Sequence, residues 1–328
     1  MALVDHCIEH LPEGRDDTLE VPIRELAERV MDLYWYQVLC FDRHLQLRQP
    51  TGGATIVAAV LDFRAASGVG QSRTTLDVAK SRNLDAYRAA LDTITITLAE
   101  QPLRRLQRIR SVADPFLYDD SFLDEHMSAK KLAVHGGAIT LKAGVAHGLA
   151  RLSGLLKPAL QSMWVSDVRR INVLDDEVLD IEGHLFGRAR VDLTPVQTPF
   201  KQAFGPYCFY CEAELKPGNP VDHVLPWSSV GLDGLQNLVL ACMPCNSDKS
   251  NKIPALQHVD KALEDTDRAN KLDRIETEIR WPTQRKRVRD AARGLYQTEP
   301  PGLPTWLRRG QTIDLDTTGD HPRLRAGR

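Results

Sequence analysis

Apolar residues recur at helical spacing through much of the first two hundred positions of the chain. In the stretch EVPIRELAERVMDLYWYQVLCF, one helical face carries Ile23, Leu26, Ala27, Val30, Leu33 and Tyr34. Pro22 suits the first turn of that helix. The run GATIVAAVLDFRAA predicts a second helix, and LDAYRAALDTITITLAEQPLRRLQRIR predicts a longer one that breaks at Pro102. The N-terminal half is therefore predicted to be mainly helical.

The same pattern continues in AGVAHGLARLSGLLKPALQSMWVSDVRRIN, where Pro158 marks a predicted kink or boundary. The apolar stripe of this stretch comprises Val145, Leu149, Leu152, Leu155, Leu156 and Leu160. Residues 173–200 fit a short helix or strands equally well. From residue 256 onward the pattern predicts one or two helices divided near Pro282. The tail from Glu299, rich in Pro and Gly, is predicted to be a partly disordered loop.

A different pattern occupies the middle of the chain. The stretches PVDHVLP and LQNLVLAC are short, apolar and partly β-branched, and the turn-prone SSVGLDG lies between them. They predict two strands of a hairpin, with a helix beginning near CNSDKSNK. A hairpin followed by a helix brings Asp222 and His223 on the first strand close to Asn246 at the helix start.

Length and composition limit the alternatives. The chain has 328 residues and a formal net charge of −2, so two or three structural units are expected and contacts with nucleic acid must come from local patches. It contains no run of eighteen apolar residues, and the first residues are acidic where a signal peptide needs a basic start. We expect a cytoplasmic protein with no membrane partner.

Four of the six cysteines form two C-x-x-C pairs, Cys208 with Cys211 and Cys242 with Cys245. In a reducing compartment such pairs are typical of metal ligands rather than disulfides. Four thiolates suit tetrahedral Zn²⁺, and a site with four protein ligands is closed and therefore structural. The other two cysteines, Cys7 and Cys40, lie apart from each other near the N-terminus and are expected to have no chemical role.

The stretch from about residue 204 to 257 resembles the HNH endonucleases, the His-Me finger or ββα-metal nucleases, in their zinc-stapled form. The residues that carry the resemblance are the DH of VDHVLPWS, the asparagine of GLQNLVLAC, and CMPCN followed by SDKSNK. The sequence departs from the family name at its last position, where Asn246 replaces a histidine. That replacement occurs in the zinc-stapled branch and favours Mg²⁺ over softer ions.

The resemblance implies four catalytic residues. His223 would be the general base that takes a proton from the attacking water. Asp222 and Asn246 would bind one hard cation, Mg²⁺ or Mn²⁺, which stabilises the leaving group as a Lewis acid. Asn237 would fix the hairpin loop by side-chain to backbone hydrogen bonds and so orient His223.

The expected contacts with nucleic acid are the basic residues near the motif and in QRKRVRD, namely Lys249, Lys252, Arg285, Lys286 and Arg287. Solvated lysines and mixed-charge helix faces are the alternative explanation for each of them. The resemblance predicts a metal-dependent endonuclease acting on DNA, in bacterial anti-phage defence or a mobile-element system. The alternative is a non-catalytic zinc module that binds nucleic acid or a partner protein.

The predicted fold class is mainly α with a small α+β module. Residues 1–200 form a helical region for specificity, regulation or partner binding, including a protein partner or a second copy of the chain. Residues 201–257 form the ββα-metal HNH module with its structural zinc. Residues 258–328 form a helical C-terminal extension with a flexible tail.

Overall fold

The structure is a computed structural model that describes residues 1–41, 46–48, 54–109, 112–113, 115–174, 180–186 and 192–315. It is mainly helical, with small antiparallel sheets, as the hydrophobic pattern predicts. The chain divides into two compact units, residues 1–7 with 11–191 and residues 8–10 with 192–328. Among the described residues, none of the helices has the length and apolar character needed to cross a membrane.

The N-terminal unit is built mainly from helices. The described helices up to residue 191 are α1 (Ala2–Glu9), α2 (Ile23–Gln37), α3 (Ala54–Ala66), α4 (Leu76–Arg82), α5 (Leu84–Leu98), α6 (Ala129–Val134), α7 (Val145–Arg151), α8 (Ser153–Asn172) and α9 (Ile181–Phe186). The strands are β1 (Leu19–Pro22), β2 (Arg108–Ile109), β3 (Val112–Ala113) and β4 (Ala138–Leu141), which pair as β1 with β4 and β2 with β3. The long predicted helix does break in this region: α5 ends at Leu98, and a π-helix that contains Pro102 follows over Ala99–Leu103.

Five of the six residues on the predicted face of α2 are buried, Leu33 is partly buried, and the core beside this helix contains the cationic side chain of Arg64. Trp35 packs against Phe63 of α3 with ring centroids 5.5 Å apart. Arg64, which is 1% exposed, lies over the Trp35 ring and donates hydrogen bonds to the carbonyls of Trp35, Gly70 and Ser72. Burial lowers the pKa of Arg64 to about 10, and the three carbonyl contacts offset the cost of enclosing its charge. The spacing of apolar residues along a helix does not reveal that a charged residue such as Arg64 is buried in the core.

Two expectations about the stretch that becomes α7 and α8 need correction. Pro158 lies within α8, so the predicted alternative of a boundary there is wrong, and the helix continues with one main-chain hydrogen bond fewer. Within the predicted apolar stripe, Leu152 and Leu155 are 48% and 73% exposed. The local pattern was correct for a helix, but tertiary packing decides which residues of a helix are covered.

The second unit contains a short hairpin surrounded by helices. Its elements are α10 (Thr194–Phe204), β5 (Val221–His223), α11 (Trp227–Val230), β6 (Leu238–Leu240), α12 (Met243–Lys249), α13 (Leu256–Leu263), α14 (Thr266–Ile279), α15 (Arg285–Thr298), β7 (Pro304–Arg308) and β8 (Gln311–Asp314). The core joins Val224 and Val239 of the hairpin region to Val259 of α13 and Val288 of α15. The predicted ββα order is present as β5, β6 and α12.

The C-terminal region differs from its prediction in two places. Three helices replace the expected one or two, because Asp265 accepts a hydrogen bond from the main-chain N–H of Arg268 and starts α14 as an N-cap. The tail from Glu299 contains the antiparallel pair β7 and β8 instead of a loop alone. Trp306 of β7 is fully buried, and its burial stabilises this hairpin. Residues 316–328 lie outside the described residues.

Candidate active site

The two C-x-x-C pairs converge on one point. Cys208 precedes a tight turn in which the N–H of Glu212 donates to the Cys208 carbonyl, and Cys242 and Cys245 lie at the start of α12. The ligand atoms of Cys208, Cys211, Cys242 and Cys245 all lie within 4.8 Å of one another. All four are free cysteines. The predicted zinc ligand set is therefore brought together by the fold.

The distance between two of the sulfurs fits tetrahedral coordination of a metal ion. Four sulfurs that each bind zinc at about 2.3 Å are roughly 3.8 Å apart in a regular tetrahedron. The Sγ atoms of Cys211 and Cys242 are 3.7 Å apart. Burial raises the pKa of the Cys208 and Cys245 thiols, so clustered thiolates need a cation to become stable. The donor set and its geometry fit a structural zinc.

Aromatic rings cover this cysteine cluster. Trp306 packs with Cys208 and Cys245, and its centroid is 5.0 Å from that of Tyr210. Its Nε1–H donates to Oδ2 of Asp248 at 2.8 Å. The ring of His258 packs edge-on against Tyr210 and tilted against Trp306, and its Nε2 is 2.6 Å from the carbonyl oxygen of Leu307. The C-terminal hairpin therefore belongs to the environment of the metal site.

The hairpin presents the Asp-His doublet on opposite faces. Asp222 pairs with Val239 and His223 with Leu238, and successive strand residues point in opposite directions. Asn237 closes the connection between the strands. Its Oδ1 accepts from the N–H of Leu225 at 2.8 Å, and its Nδ2 donates to the carbonyls of Leu225 and Leu232 at 3.3 and 3.0 Å. Asn237 is fully buried, so these bonds have little competition from water.

On one face, Asp222 meets a lysine and a tyrosine. Its Oδ2 is 3.1 Å from Nζ of Lys249 and accepts a hydrogen bond of 2.7 Å from the hydroxyl of Tyr210. Lys249 is 1% exposed and also donates to the main-chain carbonyl of His223 at 2.6 Å. Burial, followed by the nearby Asp222 carboxylate, raises the pKa of Tyr210 and keeps its proton available for donation. The burial of Lys249 disfavours its predicted contact with a phosphate, because its ammonium group is paired with Asp222 inside the protein.

Asn246 lies in α12, three residues before Lys249. Residues three apart on a helix share a face, so Asn246 is on the side from which Lys249 reaches Asp222. Asn246 is half-buried, and within the described chain its side chain makes no hydrogen bond. An amide oxygen is thus available on the same side of α12 as the carboxylate of Asp222.

On the other face, His223 meets a carboxylate that the sequence did not single out. Its Nε2 is 2.8 Å from Oδ1 of Asp233, in the connection between the strands. A carboxylate accepts hydrogen bonds, so the neutral imidazole carries its proton on Nε2 and keeps the Nδ1 lone pair. In the part of the chain that the structure describes, Nδ1 makes no hydrogen bond, and the side chain is 17% exposed. The arrangement can therefore accept a proton at Nδ1.

The basic residues predicted to contact nucleic acid do not form a free patch. Arg285 pairs with Asp273 at 2.8 Å, and Arg287 makes two hydrogen bonds to Glu9 at 3.0 and 3.2 Å. Lys252 donates to the carbonyl of Asp248 at 2.7 Å. The side chain of Lys286 is 88% exposed and pairs with Asp290 one turn away. Lys252 and Lys286 are the two members of this group whose side chains are at least half exposed and whose ion pairs lie on the surface, and Lys286 is the more exposed of them.

Sequence reasoning missed three members of the site, Tyr210, Asp233 and Trp306. Tyr210 lies inside the first C-x-x-C pair, and this position is a signal that it is close to the metal. Asp233 lies in a turn-prone GLDG segment, where an acidic residue has a common local explanation. Trp306 lies about sixty residues beyond the second cysteine pair, and no local pattern links the two.

Comparison with known proteins agrees with this geometry. Residues 208–255 match the family model described as HNH endonuclease. No curated protein and no solved structure matches the chain. The matched segment contains all four clustered cysteines, together with Asp222, His223, Asn237 and Asn246. Residues 208–255 are therefore an HNH endonuclease module with a cysteine cluster positioned to bind a metal, which supports a nuclease-type function on nucleic acid.

Proposed function

We propose that the chain is a metal-dependent endonuclease that hydrolyses phosphodiester bonds, with DNA as its substrate. The observation that carries the proposal is the two-faced hairpin. Asp222 offers an oxygen ligand toward α12, while the adjacent His223 is held by Asp233 with its Nδ1 available. Phosphodiester hydrolysis requires an oxygen ligand for a cation and a general base, and the two adjacent residues at the end of β5 supply one of each.

In this proposal, Asp222 and Asn246 would hold one Mg²⁺ or Mn²⁺, because carboxylate and amide oxygens are the ligands that such hard cations prefer. The bound cation would supply Lewis-acid chemistry, neutralising charge on the phosphate and stabilising the leaving alkoxide. His223 accepts at Nδ1 a proton from water, whose oxygen forms the new bond to phosphorus. The phosphorus–oxygen bond to the leaving sugar breaks, and that oxygen takes a proton from solvent. Asn237 keeps the strand connection closed behind His223.

The wider setting remains part of the proposal and rests on the module's resemblance alone. We propose a cytoplasmic enzyme of bacterial anti-phage defence or of a mobile-element system, since HNH modules serve many pathways. The helical N-terminal unit would supply specificity or regulation through a protein partner or a second copy of the chain. A listing of the neighbouring genes tests this setting, because a neighbouring methyltransferase or ATPase would identify the system.

One observation favours a second candidate, a non-catalytic zinc module that binds nucleic acid or a partner protein. Oδ2 of Asp222 already contacts both Lys249 and Tyr210, and the ammonium balances the carboxylate without a divalent ion. A site that folds with its own cation has no need of Mg²⁺ for stability. Catalysis then requires that a bound cation share Asp222 with Lys249 or displace it.

The test is cleavage of supercoiled plasmid DNA and of structured RNA, each titrated with Mg²⁺, Mn²⁺ and Ni²⁺. His223→Ala should retain zinc and nucleic-acid affinity and lose about 10²- to 10⁴-fold in turnover. Asp222→Ala should abolish dependence on the divalent ion, and Asn246→His should shift preference toward ions that accept imidazole. The control is His126→Ala, an exposed histidine of the N-terminal unit. Equal cutting by wild type and His223→Ala would contradict the mechanism, and specific binding without cutting would favour the zinc-module candidate.

A further inference from the structure

A short segment beyond the HNH match contacts the connection between the two strands of the hairpin. We call Trp281–Arg285 the strap. Nε1 of Trp281 donates to the carbonyl of Asp233 at 2.7 Å. The N–H groups of Leu235 and Gln236 donate to the carbonyls of Pro282 and Thr283 at 3.0 and 3.2 Å. The strap therefore binds three of the four residues that run from Asp233 to Gln236.

Close packing reinforces these hydrogen bonds. A β-carbon at Gly234 would lie 2.6 Å from both the Thr283 carbonyl oxygen and Cβ of Gln284, so only glycine allows this approach. Nε of Arg285 also donates to Oε1 of Gln236, at 3.3 Å. Gln236 is fully buried and donates in turn to the carbonyl of Ala262. Residues of the strap and of the C-terminal helices therefore fix the connection between β5 and β6.

The backbone of this region is unusual. Arg280, just before the strap, and Gln284, within it, have φ values of 53° and 50°. A non-glycine residue in this left-handed region is strained and persists only where the surrounding contacts fix it. Two such residues within five positions shape a sharply turned segment that fits against Asp233 and Gly234.

The strap acts on His223 through a single residue. Its tryptophan fixes the main chain of Asp233, and the Asp233 carboxylate lies 2.8 Å from Nε2 of His223. We propose that Asp233 is a positioning residue for His223 and that the strap, which lies outside residues 208–255, is a functional part of the active site. Asp233 selects the imidazole form with its proton on Nε2 and aims Nδ1 at the attacking water. Trp281 fixes the position of the Asp233 carboxylate through its hydrogen bond to the Asp233 main chain.

This inference deepens the proposed function, and one readout does not depend on activity. Nitrogen-15 NMR of histidine-labelled full-length protein reports which ring nitrogen of His223 carries the proton. Wild type should show the proton on Nε2. Asp233→Asn should shift the population toward Nδ1, because the amide can donate to Nε2, as happens when an aspartate–histidine pair loses its carboxylate. Asp233→Glu should restore the wild-type form at least partly.

Kinetics provide the second readout on the same zinc-loaded proteins. Asp233→Asn should lower kcat by about 10- to 100-fold with little change in KM, the size of effect seen when a carboxylate that orients a histidine ligand is lost. Trp281→Phe, which keeps the packing but removes the Nε1–H donor, should change the NMR signal and kcat in the same direction by a smaller amount. Asp267→Asn, on an exposed face of α14, is the matched control and should change neither.

The outcomes separate this inference from the proposed function. A wild-type His223 with its proton on Nδ1, or a proton position that Asp233→Asn and Trp281→Phe both leave unchanged, would overturn the inference. If the NMR changes are as expected but no substrate is cut, the positioning role stands and the nuclease proposal fails. Zinc content and melting temperature are measured for each variant. If Asp233→Asn does not fold, Trp281→Phe decides the question alone.

Discussion

Nζ of Lys249 lies 3.1 Å from Oδ2 of Asp222, in a position where the lysine is 1% exposed. This buried ion pair connects α12 to β5 at the centre of the matched module. Because both groups are almost out of water, each charge depends on the other for its stability. The pair therefore gives the first stability prediction.

Lys249→Met should destabilise the second unit by about 3–5 kcal/mol, because it leaves the Asp222 carboxylate buried without its cation. Millimolar Mg²⁺ should recover more stability in this variant than in wild type, since an ion that binds only the folded state stabilises it. Urea unfolding with zinc held in excess measures both effects. Lys271→Met is the control, because its partner Asp267 is 74% exposed and such pairs contribute at most about 1 kcal/mol. Equal losses in the two variants would contradict the structural role of Lys249.

Cys208→Ala should unfold the module, because the free energy of zinc binding in small zinc domains, on the order of 10 kcal/mol, is largely folding free energy. Elemental analysis should find about one zinc per wild-type chain. The control Cys40→Ala, outside the cluster, should keep both zinc and fold. Well-folded wild-type protein with less than half an equivalent of zinc would disprove the structural metal.

Trp306→Ala should lower the free energy of unfolding by about 3–5 kcal/mol, the usual cost of truncating a fully buried aromatic side chain. The loss should be accompanied by weaker zinc retention against a chelator, because Trp306 packs on Cys208 and Cys245. Ile313→Ala in the same hairpin is the control, since Ile313 is 51% exposed, and its effect should stay within about 0.5 kcal/mol. A Trp306 variant as stable as that control would show that the hairpin is not part of the metal site.

Stability should fall in mild acid partly through His258. Burial lowers the pKa of His258 below its ordinary value, the Leu307 carbonyl opposes this effect, and Lys261 and Lys249 add to it. The unfolded state takes up a proton near pH 6.5 while the folded state does not, so this contribution is complete above that pH and is lost below it.

Comparison with His258→Gln isolates this effect, because both proteins share the same zinc site. Between pH 7 and 5, wild type should lose more stability than the variant, with a difference in slope of up to about 1.4 kcal/mol per pH unit. Unfolding curves at fixed zinc, with zinc content checked at each pH, give the two slopes. Parallel slopes would mean that His258 takes up its proton equally in both states.

Of the basic residues predicted to contact nucleic acid, Lys286 should act as a surface cation and Arg287 should have a structural role. Lys286→Ala should reduce the salt dependence of DNA binding by about 0.9 log unit if Lys286 contacts a phosphate of B-form DNA. Arg287→Ala should instead cost about 2 kcal/mol of stability, through its lost charge-assisted bonds to Glu9. Salt titrations of binding and urea unfolding of both variants distinguish the two roles. An unchanged slope for Lys286→Ala would show that this face of α15 lies away from the nucleic acid.

The sequence by itself was enough to predict the helical character of α2 and α5, the ββα order and the four cysteines that cluster in position to bind a metal. These features are local: helical periodicity, strand-forming runs and paired cysteines each lie within one short segment. The same reasoning failed for a helix boundary at Pro158 and for the part of the tail that forms β7 and β8. In both cases, a local signal for breaking structure was outweighed by the rest of the helix or by the burial of Trp306.

Only the tertiary structure decided which charged side chains pair with one another inside the protein. Lys249 has the sequence context of a surface lysine, and its burial against Asp222 comes from the packing of α12 on β5. Asp233 lies ten residues from His223, and its main chain is fixed by Trp281, forty-eight residues further along the chain. Contacts at such separations depend on the positions of whole elements, and no pattern within a short window encodes them. The sequence thus determined which chemical groups the module carries, whereas packing determined which of them face one another.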